Sequence, residues 1–314
     1  MKYQGGTVDE AAVKAAGGAV VENGNGVRVG GWVITSHKGP ITADAELEAL
    51  KQQLGTLAAP EQFYGENHLR LHHEPSGATL SFNALDALKG WLADTSEPVL
   101  VGEAEEWLAA RQQDVAAHAA QTVDYDWTYT TSYNGSLEQA GSGSSAGGAD
   151  GTAAAAGPAA GAAGGADGPA AAAWEATSEQ IDRALLTSRD PILYYDELPL
   201  YESELDDHGS SKVLLKVRVM PRCWYVLLRF WLRVDHVMVR LRETRVFCRF
   251  DAPPAAAARL LREVRHHEGT FAALRAAGAP AEGPAYSDPD TAAAALMAVA
   301  PVGVSHYRME RLSL

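Results

Sequence analysis

"SKVLLKVRVMPRCWYVLLRFWLRVDHVMVRLRETRVFCRF" runs from Ser211 to Phe250, and its reading decides the fold. Val213, Leu215, Val217 and Val219 alternate with Lys212, Lys216 and Arg218, a period of two that belongs to a half-buried strand. Pro221 ends that run. In the next, Trp224, Val226, Leu228, Phe230, Leu232 and Val234 all fall on one face, and Tyr225, Leu227, Trp231, Arg229 and Arg233 on the other. Arg229 and Arg233 also suit a helix by spacing, but the aromatic and β-branched content decides for strand. Asp235-His236 turns the chain into VMVRL and TRVFCRF. The expectation is an antiparallel meander over 212–250 with one apolar and one charged face. The predicted class is α+β: a two-layer, mainly antiparallel β-sheet core with flanking α-helices.

The meander is basic within an acidic protein. Between Lys212 and Arg249 stand ten Lys and Arg against two acids, Asp235 and Glu243, while the whole chain carries −14. Charge gathered in this way reads either as a solvated, edge-protecting sheet face or as a surface for an anionic partner such as an acidic peptide or terminal carboxylate. The overall acidity argues against broad nucleic-acid or anionic-membrane binding.

Working outward, residues 1–26 are small, polar and Gly-rich and read as a flexible segment. Val27–Thr35 reads as a strand, and Thr42 as the cap of a helix burying Leu47, Leu50 and Leu54 before Gly55. His68–His73 and Thr79–Phe82 form a hairpin across Pro75-Ser76-Gly77. Asn83 caps a helix with a Leu85, Leu88 and Leu92 stripe, and Asp86 sits where a capping-box acid reaches back. A further helix is expected over 102–121, with Trp107 on its apolar side. In DYDWTYTTSYNG, Tyr125 to Tyr133 alternate and end at Asn134-Gly135, which predicts a strand and tight turn. The stretch 138–173 is almost all Ala, Gly and Ser and reads as a disordered insertion. A helix over 177–190 is expected from the Thr177/Gln180 spacing, then an extended run over 192–205, then helices over 255–264, 270–277 and 291–299. The organisation predicted is one domain over 27–314 interrupted by 138–173.

The sequence holds no H-E-x-x-H, G-x-S-x-G, P-loop or dinucleotide fingerprint, and no cofactor is expected. Two cysteines without a C-x-x-C spacing fit a reducing compartment. No apolar run reaches a membrane span, and a cytosolic protein, with the nucleus as a second compartment, is expected. The adjacent pairs His72-His73 and His266-His267 point apart on regular structure and suit surface roles. Asp206-Asp207-His208 combines carboxylates with an imidazole, so a metal-dependent hydrolase using Asp207 and His208 is the alternative reading. The same residues before Gly209 are also ordinary turn chemistry. Nucleic-acid binding by the Arg-rich sheet is a third, weaker reading.

Several ordered blocks together resemble the TIP41-like family: GWVITSHKGPI (31–41), FYGENHLRL (63–71), LSFNALDALK (80–89), EEW (105–107), YDWTYTTSYNGSL (125–137), YYDELPLYESELDDHG (194–209), LKVRVMP (215–221), LLRFWLRVD (227–235) and VRLRETR (239–245). Departures are the Ala/Gly insertion, His236 where the family has Gly, and Asp206 where it more often has His. The resemblance implies a mainly antiparallel β fold. It also implies a non-enzymatic regulator that binds and restrains the catalytic subunits of type 2A-class Ser/Thr phosphatases in TOR and stress signalling, partly alongside alpha-four/Tap-forty-two regulators. A cleft for the phosphatase's acidic C-terminal tail is implied too. The family's contact positions fall on Asp86, Ile181, Leu241 and Glu243; the basic strand adds Arg240, Arg242 and Arg245 as candidates for the tail. Each has a plainer reading: capping acid for Asp86, core for Ile181 and Leu241, neutralisation of neighbouring arginines for Glu243.

Overall fold

A computed structural model describes residues 6–22, 24–54, 59–94, 99, 126–139, 172–205, 208–250, 258–280, 282–299 and 303–314. In chain order the strands are β1 (Thr7–Val8), β2 (Ala19–Val20), β3 (Gly26–Val29), β4 (Trp32–His37), β5 (Gln62–Phe63), β6 (His68–His73), β7 (Ala78–Asn83) and β8 (Ser136–Glu138). They continue with β9 (Glu175–Ala176), β10 (Tyr194–Ser203), β11 (Gly209–Met220), β12 (Cys223–Val234), β13 (Met238–Arg249), β14 (Arg259–Thr270) and β15 (Val304–Ser313). The helices are α1 (Glu10–Ala15), α2 (Asp44–Leu54), α3 (Ala84–Leu92), α4 (Arg183–Leu186), α5 (Phe271–Ala276) and α6 (Pro289–Ala298), with a 3-10 turn at Gly283–Tyr286.

The expected meander is the centre of the larger of two antiparallel sheets, ordered β1-β10-β11-β12-β13-β14-β15-β9, with β5 also on β10. The smaller sheet is ordered β2-β3-β4-β6-β7-β8. The apolar face read from Val213–Val219 and Trp224–Val234 is buried and shares one core with Ile34, Leu69, Leu71, Leu80 and Phe82 of the smaller sheet. Each such side chain contributes roughly 2 kcal/mol by leaving water. Trp32 meets Trp224 edge-on across the layers, with ring centroids 5.0 Å apart. The α+β, mainly antiparallel class is what the structure shows. His236 closes the β12–β13 turn at φ 60, a left-handed value that costs a non-glycine residue about 1 kcal/mol.

Several local expectations hold. β6 and β7 pair in register Leu71↔Leu80. Asn83 caps α3 by accepting from the Asp86 N–H at 2.8 Å. Thr270 caps α5 by accepting from the Ala273 N–H at 3.1 Å, and α6 lies within one or two residues of the predicted helix.

Other expectations are corrected. Val27–Thr35 is two strands, because Gly30 and Gly31 both take positive φ (59 and 82) and turn the chain back. Residues 6–22 are built into the fold: β1 pairs with β10, Asp9 caps α1, and Val13 is buried in the core. Thr42 accepts from the Gly65 N–H at 2.9 Å, and α2 starts at Asp44. The buried face of α3 is Ala84, Ala87, Leu88 and Trp91, which leaves Leu92 exposed.

The most instructive correction is 126–135, which pairs with no strand. The Asp126 carboxylate accepts from the Thr128 N–H at 3.0 Å, the Thr128 hydroxyl at 2.6 Å and the Thr130 N–H at 3.1 Å. These local bonds coil the backbone, with Tyr129 at φ 55, and outcompete a ladder. The segment is wedged between α3 and the larger sheet: Thr131 donates to Ala87 O at 2.9 Å, Ser211 to Thr128 O at 2.7 Å, and Tyr201 to Tyr129 O at 2.6 Å.

The helix expected over 177–190 shrinks to α4, capped by Asp182, whose carboxylate accepts from the Leu185 N–H at 2.9 Å. Residues 259–264 are strand, not helix: buried Leu260 and Leu261 point to opposite faces of a sheet covered on both sides, which overrides helix propensity. The predicted helix over 102–121 with Trp107, and most of the insertion, lie outside the described residues. Its base is described. Gln139 donates to Ala172 O at 2.5 Å and accepts from the Ala172 N–H at 3.1 Å. No helix among the described residues is long and apolar enough to cross a membrane.

Candidate functional site

Alternation splits the basic strand β13 into two chemically different faces. Arg240, Arg242 and Thr244 point toward the shared core and the 126–134 segment; Leu241, Glu243 and Arg245 point to the outer face.

On the outer face the register sets Arg229, Glu243 and Arg265 abreast, with Arg245 and Glu263 in the next row but one. Arg229 donates through Nε to Glu243 Oε1 at 2.8 Å, and Arg245 Nη2 is paired with Glu243 Oε2. Glu263 takes Arg245 at 3.3 Å, Arg265 Nε at 2.7 Å and Arg183 at 3.1 Å. Asp290, at the start of α6, pairs with Arg229 and lies 3.5 Å from Lys216. Glu243 and Glu263 are 2 % and 1 % exposed. Burial alone would lower the Arg229 and Arg245 guanidinium pKa values, but the Glu243 carboxylate reverses this and both stand raised. The Arg229 hydrogen bond holds the Asp290 carboxyl below its usual value. The basic face read from sequence is thus a paired network, its missing acids supplied by β14 and α6.

Apolar groups flank the network. Toward one end, Trp231, Val239 and Leu241 lie under Phe271, Leu274, Tyr286, Ala292 and Leu296 of α5, the 3-10 turn and α6. Toward the other, Ile181 and Leu185 pack on Met220, Cys223, Phe247, Leu261 and Met309.

The predicted site residues therefore separate. Ile181, Leu241, Glu243 and Arg245 share the outer face, where Leu241 is 0 % exposed and Ile181 6 %. Arg240 and Arg242 stand opposite: Arg240 donates to Glu268 at 2.7 Å and to Thr130 Oγ1 at 2.8 Å, and Arg242 to Asp94 at 2.6 Å. Asp86 lies at the start of α3, beside the smaller sheet. Its carboxylate accepts from Ser136 Oγ at 2.6 Å and Asn83 Nδ2 at 2.9 Å, and its side chain stays partly exposed.

Facing the core side is a narrow groove. Thr131, Ser132, Tyr133 and Asn134 form one wall; Leu228, Phe230, Arg242, Thr244 and His266 are among the residues of the other. Burial first, and then the Arg242 charge, push the His266 imidazole down to about 3, so a neutral ring sits beside the cation. The His306 ring lies 5.6 Å from it. A ligand carboxylate that exchanged with Asp94 on Arg242 would sit above an apolar floor with hydroxyl and amide groups opposite.

Sequence reasoning missed Arg229, Glu263, Asp290 and His266 as members of these arrangements. Glu263 was hidden because 255–264 read as helix and His266 because it read as one of a surface pair, whereas β14 aligns both with β13. Among the described residues no cluster of three or more His, Cys, Asp or Glu is placed to hold a metal ion. His208 lies exposed in the turn before β11, its N–H donating to Leu205 O at 3.0 Å; Asp206 and Asp207 lie outside the described residues.

Comparison with known proteins places this architecture. The profile of the TIP41-like family matches residues 62–275. A TIP41-like protein of Arabidopsis thaliana is 38 % identical over 287 residues, covering 90 % of this chain and 91 % of the relative. The human TIP41-like protein is 32 % identical over 246 residues, covering 78 % and 77 %. A relative from Saccharomyces cerevisiae, the type 2A phosphatase activator TIP41, is 29 % identical over 268 residues, covering 80 % and 65 %.

Proposed function

The chain belongs to the TIP41-like family, and on that premise we propose that it is a non-enzymatic regulator that binds the catalytic subunit of a type 2A-class protein phosphatase. The observation that carries this reading is the likeness over 90 % of the chain to the Arabidopsis thaliana TIP41-like protein, joined by a likeness over 80 % of the chain to the yeast protein named as a type 2A phosphatase activator. Two surfaces would share the work. Ile181, Leu241 and Glu243 of the outer face, together with Asp86, are proposed as the contact set for the catalytic subunit, while Arg245, expected for the tail, stands on that same outer face away from the groove. The groove under Arg242 is proposed to hold the acidic C-terminal tail by its carboxylate, with Arg240 behind it. Leu241 and Glu243 are buried as folded, so contact there requires α5, α6 or Asp290 to shift.

The proposed mechanism is occlusion, which restrains the phosphatase and acts in TOR and stress signalling, partly alongside an alpha-four/Tap-forty-two-type regulator. The name activator, borne by yeast relatives, points the other way. Purified chain added to a type 2A catalytic subunit decides between them. A fall in phosphatase turnover supports restraint, a rise supports activation, and no complex on affinity capture overturns the reading. Binding of a tail peptide should weaken as ionic strength rises, and a salt-independent affinity argues against the groove.

A further inference from the structure

The outer edge of the larger sheet is a strand only half paired. β15 runs from Val304 to Ser313, yet β9 pairs with it only at Glu310 and Arg311. One more bond follows, from the Thr177 N–H to Met309 O at 3.0 Å, and then the chain leaves the edge as Ile181 turns into the outer-face cluster. Among the described residues no strand pairs with the free side of Val304–Arg308.

The direction of the unpaired groups follows from strand geometry. N–H and C=O of one residue in a strand point the same way, and the direction alternates along the chain. Met309 O points outward, so the N–H and C=O of Tyr307 and Ser305 point outward too. The side chains here are exposed, Val304 to 63 % and Tyr307 to 47 % with Ser305 and His306 between them, and the one tie back to the departing segment is the Tyr307 hydroxyl, which donates to Gln180 Oε1 at 3.0 Å.

Arginines lie nearest this edge, each with an acid partner, Arg308 with Glu310 and Arg265 with Glu263. Arg308 is 40 % exposed, and the Arg265 guanidinium lies 5.2 Å from the Tyr307 ring centroid. Nearby acids are already shared. Glu310 takes Arg262 at 2.7 Å and Arg308 at 3.4 Å, and Glu263 takes three arginines. A second copy of the same edge would bring Arg308 toward like charge, which disfavours self-pairing.

We propose that the open edge at Ser305–Tyr307 takes up an extended acidic peptide as an added strand, bound through the outward backbone groups of Ser305 and Tyr307 and selected by Arg308 and Arg265. This edge adjoins the groove through His306, 5.6 Å from His266, but the backbone groups it offers are not those of the groove, and the proposal does not rest on the phosphatase reading.

The test uses the full chain and three short fluorescein-labelled peptides: alternating Glu and Val, alternating Lys and Val, and the Glu/Val peptide N-methylated at every residue. Anisotropy should show binding of the first alone. The Ser305 and Tyr307 amides, which face no paired strand among the described residues, should gain roughly tenfold protection in NMR amide exchange. Arg308→Glu and the milder Arg308→Gln should each weaken binding, the first by about tenfold or more, with unchanged thermal melting. Binding of the N-methylated peptide as tight as its parent, equal binding of the Lys/Val peptide, protection confined to other amides, or no binding of the Glu/Val peptide each overturns the proposal.

Discussion

Arg240 and Leu241 are neighbours in sequence and stand on opposite faces of one sheet, the first hydrogen-bonded to Thr130, the second sealed beneath α5 and α6. Substitutions along this strand therefore report on two separate structures, and stability has to be measured beside binding.

Glu243→Gln should destabilise the fold by about 1–3 kcal/mol in urea denaturation, because Arg229 and Arg245 lose the buried carboxylate they share and keep only Asp290 and Glu263. The double change Arg229→Met with Glu243→Leu should recover much of that loss. A single variant within about 0.5 kcal/mol of wild type would contradict a buried, interdependent network.

Asp86→Asn is the cleaner probe of partner binding. Its carboxylate is partly exposed, and its hydrogen bonds with Ser136 and Asn83 survive amide replacement in part. The expected stability change is under about 1 kcal/mol. Loss of captured phosphatase at an unchanged melting temperature supports contact at Asp86; full capture removes Asp86 from the set.

Asp126→Ala should cost about 1–3 kcal/mol, since three hydrogen bonds to the 128–130 backbone and hydroxyl disappear together. Tail-peptide affinity should fall with it, because the groove wall at Thr131–Asn134 hangs from this turn. Calorimetric melting paired with peptide titration separates the two effects.

His266 sets a pH dependence. Its pKa is pushed down to about 3 in the folded chain against an ordinary 6.5, so the unfolded chain binds the extra proton between those values. The stability contribution is complete above about pH 6.5 and is lost as pH falls toward 3, by up to ~1.4 kcal/mol per pH unit. His73 and His267, also lowered by burial, act in the same direction. His266→Asn should flatten the slope of unfolding free energy between pH 7 and 5, and an unchanged slope would refute the assignment.

The meander was legible because its alternation survives into burial: positions 213–219 and 224–234 are where the period of two placed them. The 126–135 segment shows the same alternation and is no strand, because Asp126 offers its backbone a nearer set of partners than any ladder. β14 was obscured by Ala, Leu and Arg, whose helical preference yields when both faces of a residue pair are covered. The site was legible as a set of arginines but not as a network, since Glu263 and Asp290 arrive from elements distant in sequence. Charge counted along one strand says little about charge counted across three.

The bond pair between Gln139 and Ala172 gives the molecule a socket. The residues that flank the stretch 140–171 are clasped to each other, so the chain leaves and rejoins the described fold at one point. Closing a loop costs free energy only as the logarithm of its length, and shortening this one several-fold should alter stability by about 1 kcal/mol. Evolution has room there to lengthen, trim or replace sequence, and an experimenter can seat a fluorescent reporter at the same place while leaving both sheets as they are.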